Sequence, residues 1–380
     1  MKHRFQVLDI FRGIFASLVM FFHVADFADT PLLNNGFIYN SDMFVDFFFV
    51  LSGFVITYNY QSLSTGPEFR KFLTKRVARI YPLHVIMLLV FVIVESSKMY
   101  LAPYIHINNP VNENNSISTF ITSLFLLNSV KILGVKDVSW NIPSWSISAE
   151  MISYLVFGFV MILLYKLNLR RNRNLIFLLV AGLSATLLVT ITDSLKLNYS
   201  FDYGFLRGII GFFVGGLCYA TFDQLHAYSK SIKPSFYTLA ESIVLLSIAV
   251  CITNGHELKR IGLLFEVLFF VAILVFSFER GAVSDLLKKS SFLHKVGTYS
   301  YSIYMTHALL ISLFNIAFIR VLKLPPSAYT YLIFLNFYIV YKVSEWTYAN
   351  IEMRFKDFRL FNSDPKVKKP VQSLSDSPTQ

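Results

Sequence analysis

The feature that most constrains this chain is a series of long apolar runs. Ten of them, at residues 8–25, 43–60, 77–96, 145–165, 174–193, 204–222, 236–253, 261–278, 297–319 and 328–348, are each 18 residues or longer. That is close to the roughly 20 residues a helix needs to cross the hydrocarbon layer. Inside lipid a backbone must satisfy its own polar groups, and long apolar runs do so as helices. The expected fold is therefore an all-α polytopic membrane protein with about ten transmembrane helices. An eleventh run, 117–127, has 11 residues and follows an Asn-rich loop. It is too short to span and reads as an interfacial or re-entrant piece.

Composition agrees: 55% of the residues are apolar and only 15% are charged, outside the range of soluble domains. The net charge of +11 would suit nucleic acid, but its distribution argues for membrane topology. With the N-terminus inside, 22 of the 34 Lys and Arg residues fall in inner loops and tails, 8 in outer loops and four in or beside spans. This positive-inside bias places both termini in the cytoplasm and leaves no call for a nucleic-acid partner. The start, Lys2-His3-Arg4 before an apolar run, imitates a signal peptide, but Asp9 and Arg12 interrupt it. It reads as an uncleaved first span. Cys218 and Cys251 sit in apolar runs without metal-ligand spacing, and the histidines are scattered. Neither a disulfide framework nor a metal site is expected. Residues 358–380, rich in Ser, Pro and Lys, read as a disordered cytoplasmic tail behind an integral-membrane domain over 1–357.

The spans carry ionisable groups, which are costly in a bilayer and mark function by default. The first span holds Asp9, Arg12, His23 and Asp26. At about 100° per residue, the step from Arg12 to His23 returns to within about 20° of the same face and rises about 16 Å. Ala16 and Val19 lie between them on that face and are small. In the second span, Asp46 enters near the outer surface; Ser52 and Gly53 lie near the middle, where small residues allow close helix packing, and Gly53 reads as a packing residue. Arg76 and Arg79 open the third span. Part of that cluster is positive-inside flanking, but arginine forks also suit phosphate oxygens. Ser146, Glu150 and Tyr154, spaced at four and four, share a helix face. Glu150 is expected at the depth of His23, where a carboxylate would fix one ring nitrogen and leave the other as a base. Asp46 and Asp26 compete for that task. Trp145 suits either an acceptor site or an interfacial belt. Arg207 suits a pair with Glu150 or Asp46, or an anionic acceptor. Ser300, Tyr304 and His307 form a polar stripe, with Tyr301 beside it, and Glu345 and Glu352 near the inner face suit counter-charges.

Five ordered motifs carry a resemblance to acyltransferase family 3, the bacterial membrane-bound O-acyltransferases of cell-surface glycans. They are the R-x10-H pair Arg12 and His23, the run Phe47 to Phe54 (FFFVLSGF), Arg76 to Pro82 (RVARIYP), Trp145 to Glu150 (WSISAE) and Ser300 to His307 (SYSIYMTH). The likeness covers about residues 5–355. Departures are Met151, Ile152 and Ser153 after the glutamate and Arg354 where the family has a proline. The resemblance implies a multi-pass protein of the bacterial cytoplasmic membrane that moves an acyl group, usually acetyl, from cytoplasmic acyl-CoA to a hydroxyl of a cell-surface or lipid-linked glycan. No cofactor would be permanently bound; acyl-CoA is a co-substrate, and membrane lipid surrounds the protein. On this reading His23 is the base, oriented by Glu150 or Asp46. Arg12, Arg76 and Arg79 hold the donor's phosphates. Tyr301, Tyr304 and His307 position the donor, and Trp145, Ser146 and Arg207 face the acceptor. The alternative is a transporter of a glycan precursor or small anion along the same charged stripe. The sequence sets no oligomeric state.

Overall fold

A computed structural model describes residues 3–101, 103, 112–132 and 135–355 of the chain; the tail read over 358–380 lies outside the described residues. Among the described residues there is no strand, and thirteen helices have eight residues or more. They are α1 (Gln6–Ala25), α2 (Phe44–Tyr60), α3 (Gly66–Leu101), α4 (Ile117–Leu124), α5 (Ser144–Lys166), α6 (Arg173–Thr192) and α7 (Gly204–Ser229). α8 (Pro234–Thr253), α9 (Leu263–Ser277), α10 (Ala282–Lys289), α11 (Ser291–Thr298), α12 (Ser300–Asn315) and α13 (Tyr329–Thr347) complete the set.

Eight helices, α1 to α3, α5 to α8 and α12, are long and apolar enough to cross a membrane. The other two expected spans are helical but differ in kind. α9 has only 15 residues, because Ile261 and Gly262 fall in the turn before it. α13 has 19 residues but carries Asn336, Lys342 and Glu345 along its length. The run 117–127 forms the short helix α4, closed by a Ser116–Thr119 capping box. It is tied to α3, where the Tyr81 hydroxyl donates to the Leu124 carbonyl at 2.9 Å and His84 Nε2 meets the Ser123 carbonyl at 2.8 Å.

α7 is the hub, packed against α2, α5, α6 and α9. Its glycines allow this. A Cβ at Gly215 would lie 1.9 Å from the Val50 carbonyl oxygen of α2, and one at Gly53 of α2 would lie 1.8 Å from that of Phe212. The α2 and α7 backbones therefore touch, as small residues permit between helices in lipid. A second apolar core joins the later part of α1 to α12 and α13 through Met20, Val24, Ile303, Ile311, Ile333 and Val340. Phe48 packs against both cores.

Buried polar groups in the frame are satisfied unevenly. Glu241 of α8 is fully buried and accepts from the Gly281 and Ser284 backbone N–H groups at 3.0 Å and from the Ser284 hydroxyl at 2.5 Å. It thereby meets the free donors at the start of α10. Glu266 of α9 is equally buried, yet neither of its oxygens has a hydrogen-bond partner among the described residues.

Candidate functional site

α1, α2, α3, α5 and α12 line a chamber of about 130 Å³ in the bundle. A wider vestibule of about 610 Å³, lined by the N-terminal segment and by Tyr348 and Glu352, shares Arg12, Leu51, Val55, Arg76 and Arg79 with it. The side on which α1 begins is the near side. All five sequence motifs contribute to the chamber wall, through Arg12, Ser52, Arg79, Glu150 and Tyr304 among others.

The neck between vestibule and chamber is cationic. Arg12 Nε donates to Ser300 Oγ at 2.7 Å, and its fork also reaches Asp9 at 3.3 Å. Arg76 Nε is buried without a hydrogen-bond partner among the described residues, and its guanidinium lies 5.8 Å from the Tyr60 ring. Arg79 has no hydrogen bond or ion pair among the described residues, and it is exposed although it lies within the bundle, because it faces the cavity. The vestibule wall holds Arg4, Arg12, Lys75, Arg76 and Arg79 against two carboxylates, Asp9 and Glu352. Glu352 is presented by a π-helical turn, Tyr348–Glu352, and is bonded by Ser302 Oγ. Glu345 pairs instead with Lys342 at 2.8 Å, away from both cavities.

The middle of the chamber is polar. Glu150 Oε1 accepts from Ser52 Oγ at 2.6 Å and from the Tyr154 hydroxyl at 2.5 Å. Tyr301 lines the same zone, its hydroxyl donating to the Ile80 carbonyl at 2.7 Å. The far end is apolar apart from Tyr304 and Ser146, whose hydroxyls are 2.8 Å apart. There Ala16, Val45, Phe48 and Ile147 complete the wall.

His23 and His307 lie beyond that end and line neither cavity. Their rings stack with centroids 5.1 Å apart and planes at 26°. His307 is fully buried and meets the Tyr304 ring at 5.8 Å. Its Nδ1 faces the Ile303 carbonyl at 3.2 Å, while Nε2 is buried without a hydrogen-bond partner among the described residues. A carbonyl only accepts, so the neutral ring carries its proton on Nδ1 and leaves Nε2 bare. His23 has no hydrogen bond among the described residues and shares the far end of α1 with Phe22, 5.0 Å away edge to face.

The expected partners of His23 are elsewhere. Glu150 sits six residues into α5, about 9 Å below its start, and is held by Ser52 and Tyr154 rather than by an imidazole. Asp46 is paired with Arg207, which donates from Nε at 2.5 Å and from Nη2 at 2.9 Å. Arg207 Nη1 donates to the Tyr199 carbonyl at 3.2 Å, and the guanidinium lies 5.3 Å from the Trp145 ring. Both charges are almost wholly buried. The physical reason is desolvation: a bidentate fork satisfies a buried carboxylate far better than a neutral imidazole does. Trp145 is buried and packs on this pair, so it is not a belt residue at the interface. Of the expected acceptor-side residues, only Ser146 reaches the chamber.

Ser52, Tyr154 and Ser300 are site residues that the sequence alone does not single out. The signal for Tyr154 was its spacing from Glu150. For Ser52 it was a hydroxyl in the middle of an apolar span, facing the same level as a carboxylate on α5. Glu266 had a plain signal, an acid within Leu-Leu-Phe-Glu-Val-Leu-Phe-Phe, that was not weighed.

Chemically, the arrangement offers a cationic neck fit for a polyanion, a polar waist, an apolar end and a bare imidazole nitrogen beyond it. No curated protein and no solved structure gives a significant match to the chain. A family model described as an acyltransferase domain, that of acyltransferase family 3, matches residues 5–344. That stretch holds every residue named above as lining the chamber. The chain is therefore a multi-pass membrane protein belonging to acyltransferase family 3.

Proposed function

We propose that this acyltransferase takes acyl-CoA, chiefly acetyl-CoA, from the near, cytoplasmic side and esterifies a hydroxyl of a cell-surface or lipid-linked glycan arriving at the far side. The bacterial cytoplasmic membrane is the setting this implies. The observation that carries the reading is the neck, where Arg76 and Arg79 have no hydrogen bond or ion pair among the described residues. A guanidinium without a bonded counter-charge inside a bundle is costly, and the phosphates of a nucleotide-bearing donor would compensate it bidentately. Arg12 joins them in the wall of the same neck.

The donor's arm then runs past Glu150, whose Oε2 takes no bond among the described residues and accepts an amide N–H from the arm. The thioester reaches the far end beside Tyr304 and Ser146. The acceptor oxygen attacks the thioester carbonyl, its new C–O bond forms, and the C–S bond breaks. His23 accepts the hydroxyl proton and returns it to the leaving thiolate sulfur. A hydroxyl is a poor nucleophile at neutral pH, so an aligned base contributes roughly 10²–10⁴ in rate. His307, stacked on His23, holds its flank. Phe48 and Tyr304 stand between chamber and histidines with rings 5.8 Å apart, so the reading requires that layer to part during transfer.

The test is purified protein with labelled acetyl-CoA and a glycan-extract acceptor, following CoA release and label transfer. Acetyl transfer by the wild type, abolished in a folded His23→Ala variant, is expected. Unaltered transfer by His23→Ala removes the histidine base, and substrate movement without CoA release would return the transporter reading.

A further inference from the structure

We infer that the apolar far end of the chamber is the donor's acyl pocket, that Phe48 is its end wall, and that the pocket therefore takes short, uncharged acyl groups. This rests on the reading that acyl-CoA enters from the near side. Along α2 the chamber wall runs from Ile56 to Val45, about 16 Å at helical rise. The cations of the wall are Arg12, Arg76 and Arg79, and all three also line the vestibule. From Arg12 to Ala16 on α1 is a single turn, about 6 Å. A donor held by its phosphates at the neck thus has a fixed reach, and its last carbons fall among Ala16, Val45, Phe48 and Ile147.

Phe48 is singled out within its run of three phenylalanines. Phe47 does not line the chamber; Phe48 and Phe49 both do, but Phe49 is 2% exposed and packs toward Trp145, whereas Phe48 is only half-buried and its ring meets Tyr304 at the far end. Tyr304 is held by Ser146. The end of the chamber is therefore closed by side chains, and trimming one of them lengthens it. A carboxylate on the acyl chain would find no cation there, and the two hydroxyls already bond each other. Burying an unpaired charge in such a place is unfavourable.

The test compares acetyl-, butyryl-, hexanoyl- and succinyl-CoA in donor binding and in kcat/KM, with wild type, Phe48→Leu, Phe48→Ala and Ala16→Val. Monodispersity after size exclusion reports folding. Wild type should favour acetyl over hexanoyl by about 100-fold or more, in line with steric selection in a closed pocket. Phe48→Leu and Phe48→Ala should move that ratio toward the longer chains by about tenfold or more. Ala16→Val should move it the other way, penalising butyryl before acetyl, and this variant keeps the proposal open to refutation if both Phe48 changes fail to fold. Succinyl-CoA should be the poorest donor of the four for wild type. If acetyl-CoA binds and reacts but the ratio is the same in every folded variant, or wild type uses hexanoyl- or succinyl-CoA as well as acetyl-CoA, the acyl-pocket assignment falls alone. If no acyl-CoA binds the wild type, the donor reading falls and takes the assignment with it.

Discussion

Arg207 and Arg79 both lie within the helical bundle, and their surroundings are opposite. Arg207 is 3% exposed, forked onto Asp46, bonded to a backbone carbonyl and covered by Trp145. Arg79 has no bonded partner among the described residues and faces open cavity. A guanidinium in a bilayer protein needs an anion. The first has found one in the fold at bonding distance; the second shares the vestibule with Glu352 without pairing to it, which on the proposed reading leaves it open to the donor's phosphates. The difference separates a charge bonded into the fold from one left unbonded, although the sequence shows both as an arginine beside an apolar run.

The comparison breaks most severely at Asp46. Asp46→Ala should cost about 3–5 kcal/mol of stability, because it strands a buried cation. Thermal unfolding in detergent reads this, and the double change Asp46→Leu with Arg207→Leu should recover most of it. An unchanged melting temperature in Asp46→Ala would show that the pair is not structural. Arg79→Ala sharpens the contrast from the other side. It should leave the melting temperature unmoved while weakening CoA binding by about 1.5–3 kcal/mol, the value of a hydrogen bond to a charged group. Arg79→Lys should restore charge but not the fork, and so only part of the affinity. Calorimetric titration with CoA measures both, and a lowered melting temperature with unchanged affinity would move Arg79 to the structural class. The smallest effect is expected at Glu352, which shares the vestibule with Arg12 and Arg79. Glu352→Gln should tighten CoA binding modestly at low ionic strength, and the gain should fade as salt is raised.

Much of the fold was legible because its signal is cumulative. Long apolar runs can only be helices, and the short run at 117–127 could not be a span. The helix count was less secure at α9 and α13, where a turn inside the run and three polar side chains lower what length alone suggests. The site was legible where one helix face decides it: Arg12, Arg76, Arg79, Tyr301, Tyr304 and Ser146 all line one chamber. It was illegible where the answer depends on which helix lies opposite. Depth along α5 was taken to bring Glu150 to His23, but Ser52 of α2 and Tyr154 of its own helix take it up. Asp46 has two possible partners in sequence, His23 and Arg207, and only the α2–α7 contact selects Arg207. The same limit applies to Glu241 and Glu266, two acids in apolar helices. One caps α10, and the other bonds nothing among the described residues.

The glycines at the α2–α7 contact have a counterpart across the chamber. A Cβ at Gly13 of α1 would lie 2.4 Å from the backbone nitrogen of Gly297 in α11. Each pair is thus clasped main chain to main chain, with no side-chain cushion to deform. Phe48 sits on the seam between the two apolar cores. If the Phe48–Tyr304 layer parts as the proposed transfer requires, each clasped pair would move as a stiff unit, and a cross-link over that layer should arrest turnover without unfolding either pair.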